Sequence, residues 1–180
     1  MRMNNSSGLT AINVVNEYTE KELSDVFFYY GDFKDSKKIA KQIFNKRNEK
    51  EIISTYDLVA ALEGLFSEKN KNKYLARIFQ AIRIEVNDEI NSLKKLLYDA
   101  TKLLKSEGRL VVISYHSLED RLVKNLINKG SIDGKSNQDF FGKVTKIYTP
   151  INKRVIIPND EESKKNKRSR SAKLRIAEKI

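Results

Sequence analysis

Apolar residues recur at helical spacing from Thr10 to about Leu104 and then give way to short apolar runs, so the chain predicts a helical first part and a mixed second part. Thr10 suits the cap of a short helix through Val15. Thr19-Glu20-Lys21-Glu22 is a capping box, in which a hydroxyl and a carboxylate satisfy each other's free backbone N–H groups, and it leads into Leu23, Val26, Phe27 and Tyr30 before Gly31 ends the helix. Ser36 is expected to cap the next helix, whose stripe Ile39, Ile43 and Phe44 is clothed by Lys37, Lys38, Lys41, Lys46 and Arg47. So cationic a helix either has a solvated face or lies along phosphates. Ser54 and Asp57 open a helix carrying Leu58, Ala61, Leu62 and Leu65, and the polar segment Ser67 to Lys73 reads as a loop. The stripe Ile78, Ile82, Val86, Ile90, Leu93, Leu97 and Leu104 predicts one long helix, roughly Tyr74 to Lys105.

On that helix Arg77, Gln80, Arg83 and Asn87 share a second face, which either converges planar donors on one substrate or is an ordinary soluble surface. After Gly108, Leu110, Val111, Val112 and Ile113 form the continuous β-branched run of a strand covered on both faces. Ser114, Tyr115, His116 and Ser117 follow at its carboxyl end, where open α/β sheets bind ligands. Ser117 and Asp120 also have the spacing of a capping box, which alone accounts for both, and His116 is the only histidine. A helix from Ser117 to Asn128 and a loop from Lys129 to Asp139 come next. Two further strands are expected, Phe141 to Tyr148 continuing past Pro150 toward Ile157, and Ala172 to Ile180, with a helical turn starting at Pro158-Asn159-Asp160. The basic run Lys164 to Ser171 is read as an ordered loop, because a strand follows it directly.

Composition narrows the function. With 180 residues the chain can hold one sizeable core or a core plus a satellite. The net charge of +11 suits a polyanionic partner, nucleic acid above all, although an AT-rich genome would enrich Lys and Asn too. The absence of cysteine excludes disulfides and thiolate metal sites, and a single histidine argues against zinc. Neither a secretory leader nor an apolar run of ~18 residues is visible, so a cytoplasmic protein without a membrane span is expected.

Three blocks carry a resemblance: Arg77 to Glu89 (RIFQAIRIEVNDE), Gly108 to Arg121 (GRLVVISYHSLEDR) and Arg168 to Glu178 (RSRSAKLRIAE). With the opening Met1-Arg2-Met3 they are collinear over nearly the whole chain and resemble the RsmH/MraW family of S-adenosylmethionine-dependent methyltransferases, which modify the N4 of a cytosine in 16S ribosomal RNA. The resemblance implies an α/β fold, the C-terminal part of a Rossmann-like class I methyltransferase domain, with an antiparallel final hairpin and a helical substrate-recognition insertion. Residues 1–9 would be a remnant of the N-terminal methyltransferase segment, 10–73 the insertion, and 74–180 the C-terminal half of the catalytic domain. It further implies that His116, Ser117, Glu119 and Asp120 lie on the substrate side of the cleft. Arg77, Gln80, Arg83 and Asn87 would bind RNA or brace the cleft, and Arg168, Arg170 and Lys173 would contact phosphates.

The sequence departs from the family in one respect. Members carry, ahead of the segment equivalent to Met1, a Gly-rich turn for the methionine part of S-adenosylmethionine, an acidic residue for its ribose, and an Asp-Leu-Gly segment. Here seven glycines occur, none in a G-x-G arrangement, so the chain is expected to be a fragment without the main cofactor loop. The other reading is a basic RNA-binding module without catalysis of its own.

Overall fold

The computed structural model describes residues 1, 8–135, 146–152 and 154–180. The chain divides into two compact units, Met1–Glu89 and Ile90–Ile180.

The first unit is helical: α1 (Ala11–Glu17), α2 (Glu20–Tyr29), α3 (Ser36–Glu49), α4 (Thr55–Ala61) and α5 (Lys71–Val86). Thr10, Thr19 and Ser54 each cap a helix through a reciprocal box, with Asn13, Glu22 and Asp57 reaching back to the cap N–H. Each such cap is worth about 1 kcal/mol. The apolar stripes meet in one core around Val14, Leu23, Phe27, Ile39, Ile43, Ile78 and Ile82, all fully buried. At about 1.5–3 kcal/mol for each large side chain removed from water, this core rather than helix propensity holds the short helices. The Arg47 guanidinium donates to Val15 O at 3.0 Å and Tyr18 O at 2.6 Å, satisfying carbonyls that the end of α1 leaves open.

Two local expectations are corrected here. Ser36 is the first residue of α3 and not its cap, since Asp35 holds that place without a side-chain cap bond. The Ser36 hydroxyl instead lies buried, 3.0 Å from the Ser24 hydroxyl, so the two satisfy each other across α2 and α3. The polar segment before Tyr74 is loop only as far as Asn70, because α5 already starts at Lys71.

The expected long helix is two helices, α5 and α6 (Glu89–Leu103), separated at Asn87 and Asp88. Asp88 takes the left-handed conformation at φ 48°, which Asn and Asp tolerate better than most residues. Asn87 Nδ2 donates to Arg83 O at 2.7 Å and Met1 O at 3.0 Å, and the Arg83 guanidinium meets the Glu89 carboxylate at 2.7 and 3.0 Å. Side chains thus offer the backbone an alternative to another helical turn. The stripe continues across the break but serves two cores: Ile78, Ile82 and Val86 belong to the first, Leu93, Leu97 and Leu104 to the second.

In the second unit α6 is followed by β1 (Arg109–Ser114), α7 (Ser117–Lys129), β2 (Tyr148–Pro150), α8 (Asp160–Lys165), a 3₁₀ turn (Ser169–Ser171) and β3 (Lys173–Lys179). The three strands order as β1-β3-β2, and β3 is antiparallel to both neighbours, so β1 and β2 run parallel with a reversed strand between them. The fold is mixed α/β. Leu110 and Ala177 pair in register and face a core of Leu97, Val123, Leu126, Ile127 and Tyr148. Lys179 Nζ donates to Thr101 O and Leu104 O at 2.7 and 2.6 Å, placing a cation on the carbonyl end of α6.

β1 is not covered on both faces, as its sequence suggests. Val111 and Ile113 are 57% and 55% exposed, opposite Ile176 and Leu174 in register, while Leu110 and Ser114 point into the unit. The continuous apolar run therefore supplies one buried face and one open apolar face. Of the strand expected from Phe141, residues 141–145 lie outside the described residues, as do residues 136–139 of the expected loop. The described strand is Tyr148–Pro150, extended by Ile151 N–H donating to Ile176 O and an Ile156–Leu174 bridge. Asn159 caps α8, accepting from Glu162 N–H at 2.8 Å.

Candidate functional site

At the carboxyl end of β1 the chain turns directly into α7. The cap is His116 rather than Ser117: its Nδ1 accepts from Glu119 N–H at 3.4 Å, and Ser117 is the exposed first helical residue. The box is closed by Glu119, whose Oε2 accepts from Tyr115 N–H at 2.9 Å and whose Oε1 lies 3.3 Å from His116 Nε2. With Nδ1 used as an acceptor, the neutral ring carries its proton on Nε2, facing that carboxylate. Half-burial pushes the Glu119 carboxyl up, but the hydrogen bonds from His116 and from Tyr115 N–H outweigh it and hold the group below its ordinary value. The imidazole side chain is only 9% exposed, whereas Tyr115 is 55% exposed beside it. The turn thus fixes the histidine tautomer and presents one aromatic ring to solvent.

Asp120 is no cap either. It is buried on α7 and receives Arg175 Nε at 2.7 Å and Nη2 at 3.2 Å, with Lys173 Nζ at 3.3 Å. Lys173 and Arg175 alternate along β3, opposite Ser114 and Val112, and so project to the helix-covered face. Burial raises the Asp120 carboxyl, yet Arg175 and then Lys173 hold it below its ordinary value. Arg175 was missed by the sequence reading. Its signal is the period-two placement of Lys173, Arg175 and Lys179 along the strand, on the face that meets a buried carboxylate.

The remaining candidates separate. Arg77, Gln80, Arg83 and Asn87 belong to the first unit, and His116, Ser117, Glu119, Asp120, Arg168, Arg170 and Lys173 to the second. Arg77 donates through Nε and Nη2 to Gly31 O at 2.9 and 2.6 Å, and through Nη2 to Asp32 O, with its guanidinium 4.3 Å from the centre of the Phe33 ring. It closes the turn that follows α2. Arg83 is held by Glu89, Asn87 bonds backbone on two sides, and Gln80 is half-buried. Arg168 and Arg170 flank buried Ser169 and are exposed, on a turn ordered by Ser169 Oγ donating to Asn166 O at 2.8 Å.

What the second unit can do chemically is position a planar polar group. Tyr115 offers a stacking face, while His116 and Glu119 are fixed by the backbone they cap. The β1–α7 turn does not fit a cradle for the carboxylate and amine of a methionine-bearing cofactor. The turn has no glycine for close backbone approach, and the ring of His116 and the carboxylate of Glu119 already occupy backbone N–H groups at the start of α7.

Among the described residues no helix is long and apolar enough to cross a membrane. Among curated proteins, 51% identity over 99% of the chain relates it to the ribosomal RNA small subunit methyltransferase H of Phocaeicola vulgatus, of which it covers 59%. The proteins of that name from Bacteroides fragilis and Flavobacterium johnsoniae are 49% and 48% identical over 99% and 100% of the chain, and 59% of each is covered. The chain therefore spans about three-fifths of the length of these relatives. The profile described as the MraW methylase family matches residues 1–180, and on that match this chain belongs to the family.

Proposed function

We propose that this chain carries the substrate side of a methyltransferase that uses S-adenosylmethionine to methylate the N4 of a cytosine in 16S ribosomal RNA. The relatives bear the name of a small-subunit ribosomal RNA methyltransferase, and two parallel strands with a reversed strand between them suit the C-terminal part of a Rossmann-like class I sheet, final hairpin included. The observation that carries the reading is the polar turn at the carboxyl end of β1, the place where open α/β sheets take ligands. When bound, S-adenosylmethionine supplies an electrophilic methyl group. The β1–α7 turn gives it no cradle, so the part assigned to this turn is the base. The target cytosine leaves its stack, its ring lies against Tyr115, and the His116–Glu119 pair holds the pocket wall so that N4 points in a fixed direction. Asp120, Arg175 and Lys173 keep that wall on the sheet, with Ser117 at its rim. Arg168 and Arg170 meet phosphates, helices of residues 10–73 recognise the RNA, and Arg77, Arg83 and Asn87 brace the shape of α5.

The test is calorimetric. Titrating S-adenosylmethionine into the chain, with methyl transfer to 16S RNA followed in parallel, is expected to give transfer only where the cofactor binds saturably. Saturable binding without transfer to cytosine N4 would sink the reading. A second reading, a basic RNA-binding module without activity, is favoured by the net charge of +11 and the lack of any G-x-G turn. RNA affinity with no cofactor heat would support either this module or a fragment without its cofactor loop.

His116 is assigned a positioning role. In methylation-competent protein, His116→Ala is expected to lower turnover at least tenfold, equivalent to about 1.4 kcal/mol. His116→Asn retains a capping oxygen, so stability should return while turnover does not. Full turnover in His116→Asn would reduce the histidine to a cap.

A further inference from the structure

α3 turns Ile39, Ala40 and Ile43 into the helical core and leaves Lys37, Lys38, Lys41, Asn45 and Asn48 exposed. Lys38, Lys41, Asn45 and Asn48 fall at i, i+3, i+7 and i+10, so they line one side of the helix over ~15 Å. Within α3 no acid stands on that line, although Asp35 at the N-cap precedes it. The helix's own acid, Glu49, is bound to Lys46 at 2.8 Å, and Lys50 is bound to Asp57 at 3.2 Å. Among the described residues no ion pair joins Lys37, Lys38 or Lys41 of this ridge to a carboxylate, whereas other lysines near the helix are paired.

At the end of the hairpin where α2 passes into α3, Phe28 and Tyr29 are 52% and 63% exposed and meet edge to face at 5.2 Å between ring centres. Half of each ring stays open to water, so both present an apolar face that the fold does not cover. Exposed Asp25 and Asp32 flank the rings in the chain and disfavour phosphate beside them, which leaves the rings suited to a base rather than to the backbone. Cations following a backbone, with aromatic faces for bases, are the means by which single-stranded nucleic acid is held without sequence preference.

We propose that α3 and the Phe28–Tyr29 pair form an RNA contact in which Lys37, Lys38 and Lys41 follow consecutive phosphates, the Asn45 and Asn48 amides donate to the same backbone, and Tyr29 stacks an unpaired base. The proposal rests on the chain acting on ribosomal RNA and names the surface that grips it.

The test is fluorescence anisotropy of the full chain with a fluorescein-labelled single-stranded RNA of about 16 nucleotides, across a salt series. The Lys37→Gln, Lys38→Gln, Lys41→Gln triple variant is expected to bind at least tenfold more weakly. Its plot of log affinity against log salt should flatten by about 2, at about 0.7 per phosphate contact. Tyr29→Ala should lose about tenfold with the slope unchanged, and Tyr29→Phe should bind like the wild type. A control triple variant, Lys46→Gln, Lys50→Gln and Lys165→Gln, removes equal charge from lysines that already have acid partners and should change little. Equal weakening by both triple variants means diffuse charge and overturns the proposal, as does a wild-type slope in the ridge variant. In either case the methyltransferase reading stands if methyl transfer persists. A wild-type chain that binds no RNA removes this surface and the RNA substrate together.

Discussion

Asp120→Ala is expected to lower the stability of the second unit by about 3 kcal/mol. Removing the carboxylate strands the guanidinium of Arg175, whose side chain is 19% exposed, against the helix-covered face of the sheet. Breaking a buried pair from one side costs about 3–5 kcal/mol, and the lower end applies because Lys173 is 39% exposed and reaches water. Hydrogen exchange of the β3 amides is the measurement, since it reports on this sheet without requiring the chain to unfold as one. Protection equal to wild type would mean that the triad contributes nothing. The double replacement Asp120→Leu with Arg175→Met should recover most of the loss, because the desolvation of both charges then disappears with their attraction. The pH dependence has a definite sign. Asp120 is held below its ordinary value in the folded chain, so its contribution is complete above the usual carboxylate range and is lost as pH falls through and below it. The alanine variant should therefore lose less stability on acidification than the wild type.

This triad also shows where the sequence stops being legible. Helix starts were readable at Thr10, Thr19 and Ser54, because capping chemistry is local and needs only residues three apart. The same logic slipped by one residue at the β1–α7 turn, where it favoured Ser117, since a ring nitrogen can accept from the N3 amide as a hydroxyl does and Glu119 rather than Asp120 stands at N3. Asp120 thereby looked like a capping partner, when its partners lie 53 and 55 residues away on β3 and no local rule can see them. The α5–α6 break was hidden for the opposite reason. The apolar stripe has no gap at Asn87 and Asp88, and only the bonds of Asn87 and Arg83 reveal that the backbone turns there. The open face of β1 could not be read either: Val111 and Ile113 are as apolar as any buried pair, and their exposure depends on what lies across the sheet. The site followed the same division. The polar turn after β1 was visible as a turn, whereas the pairing of His116 with Glu119 and of Asp120 with Arg175 required the fold.

Arg77→Ala is expected to destabilise the helical unit by about 2–3 kcal/mol while leaving the salt dependence of RNA binding unchanged. Hydrogen bonds from a charged donor contribute about 1.5–3 kcal/mol, and a guanidinium over an aromatic ring adds about 0.5–1. The corner it closes admits no substitute. A Cβ on Gly31 would sit 2.6 Å from the Phe33 ring and 2.7 Å from Phe27 O, so the backbone there cannot be padded by a larger residue, and Arg77 from α5 donates to the carbonyls of Gly31 and Asp32. Phe33 in turn stacks with Phe66 and packs at a tilt against Tyr74, so loss of the arginine loosens an aromatic cluster as well as the turn after α2. Arg77→Lys keeps the charge but loses the planar fork, and about half the destabilisation should remain. Thermal unfolding monitored by circular dichroism gives the stability, and the RNA salt series gives the second observable. A variant that unfolds like wild type yet loses one phosphate contact from the slope would return Arg77 to the RNA interface and leave the Gly31 and Asp32 carbonyls to water. A destabilised variant with an unchanged slope establishes that an arginine can sit on a face suited to RNA and still serve only to shape the unit that presents it.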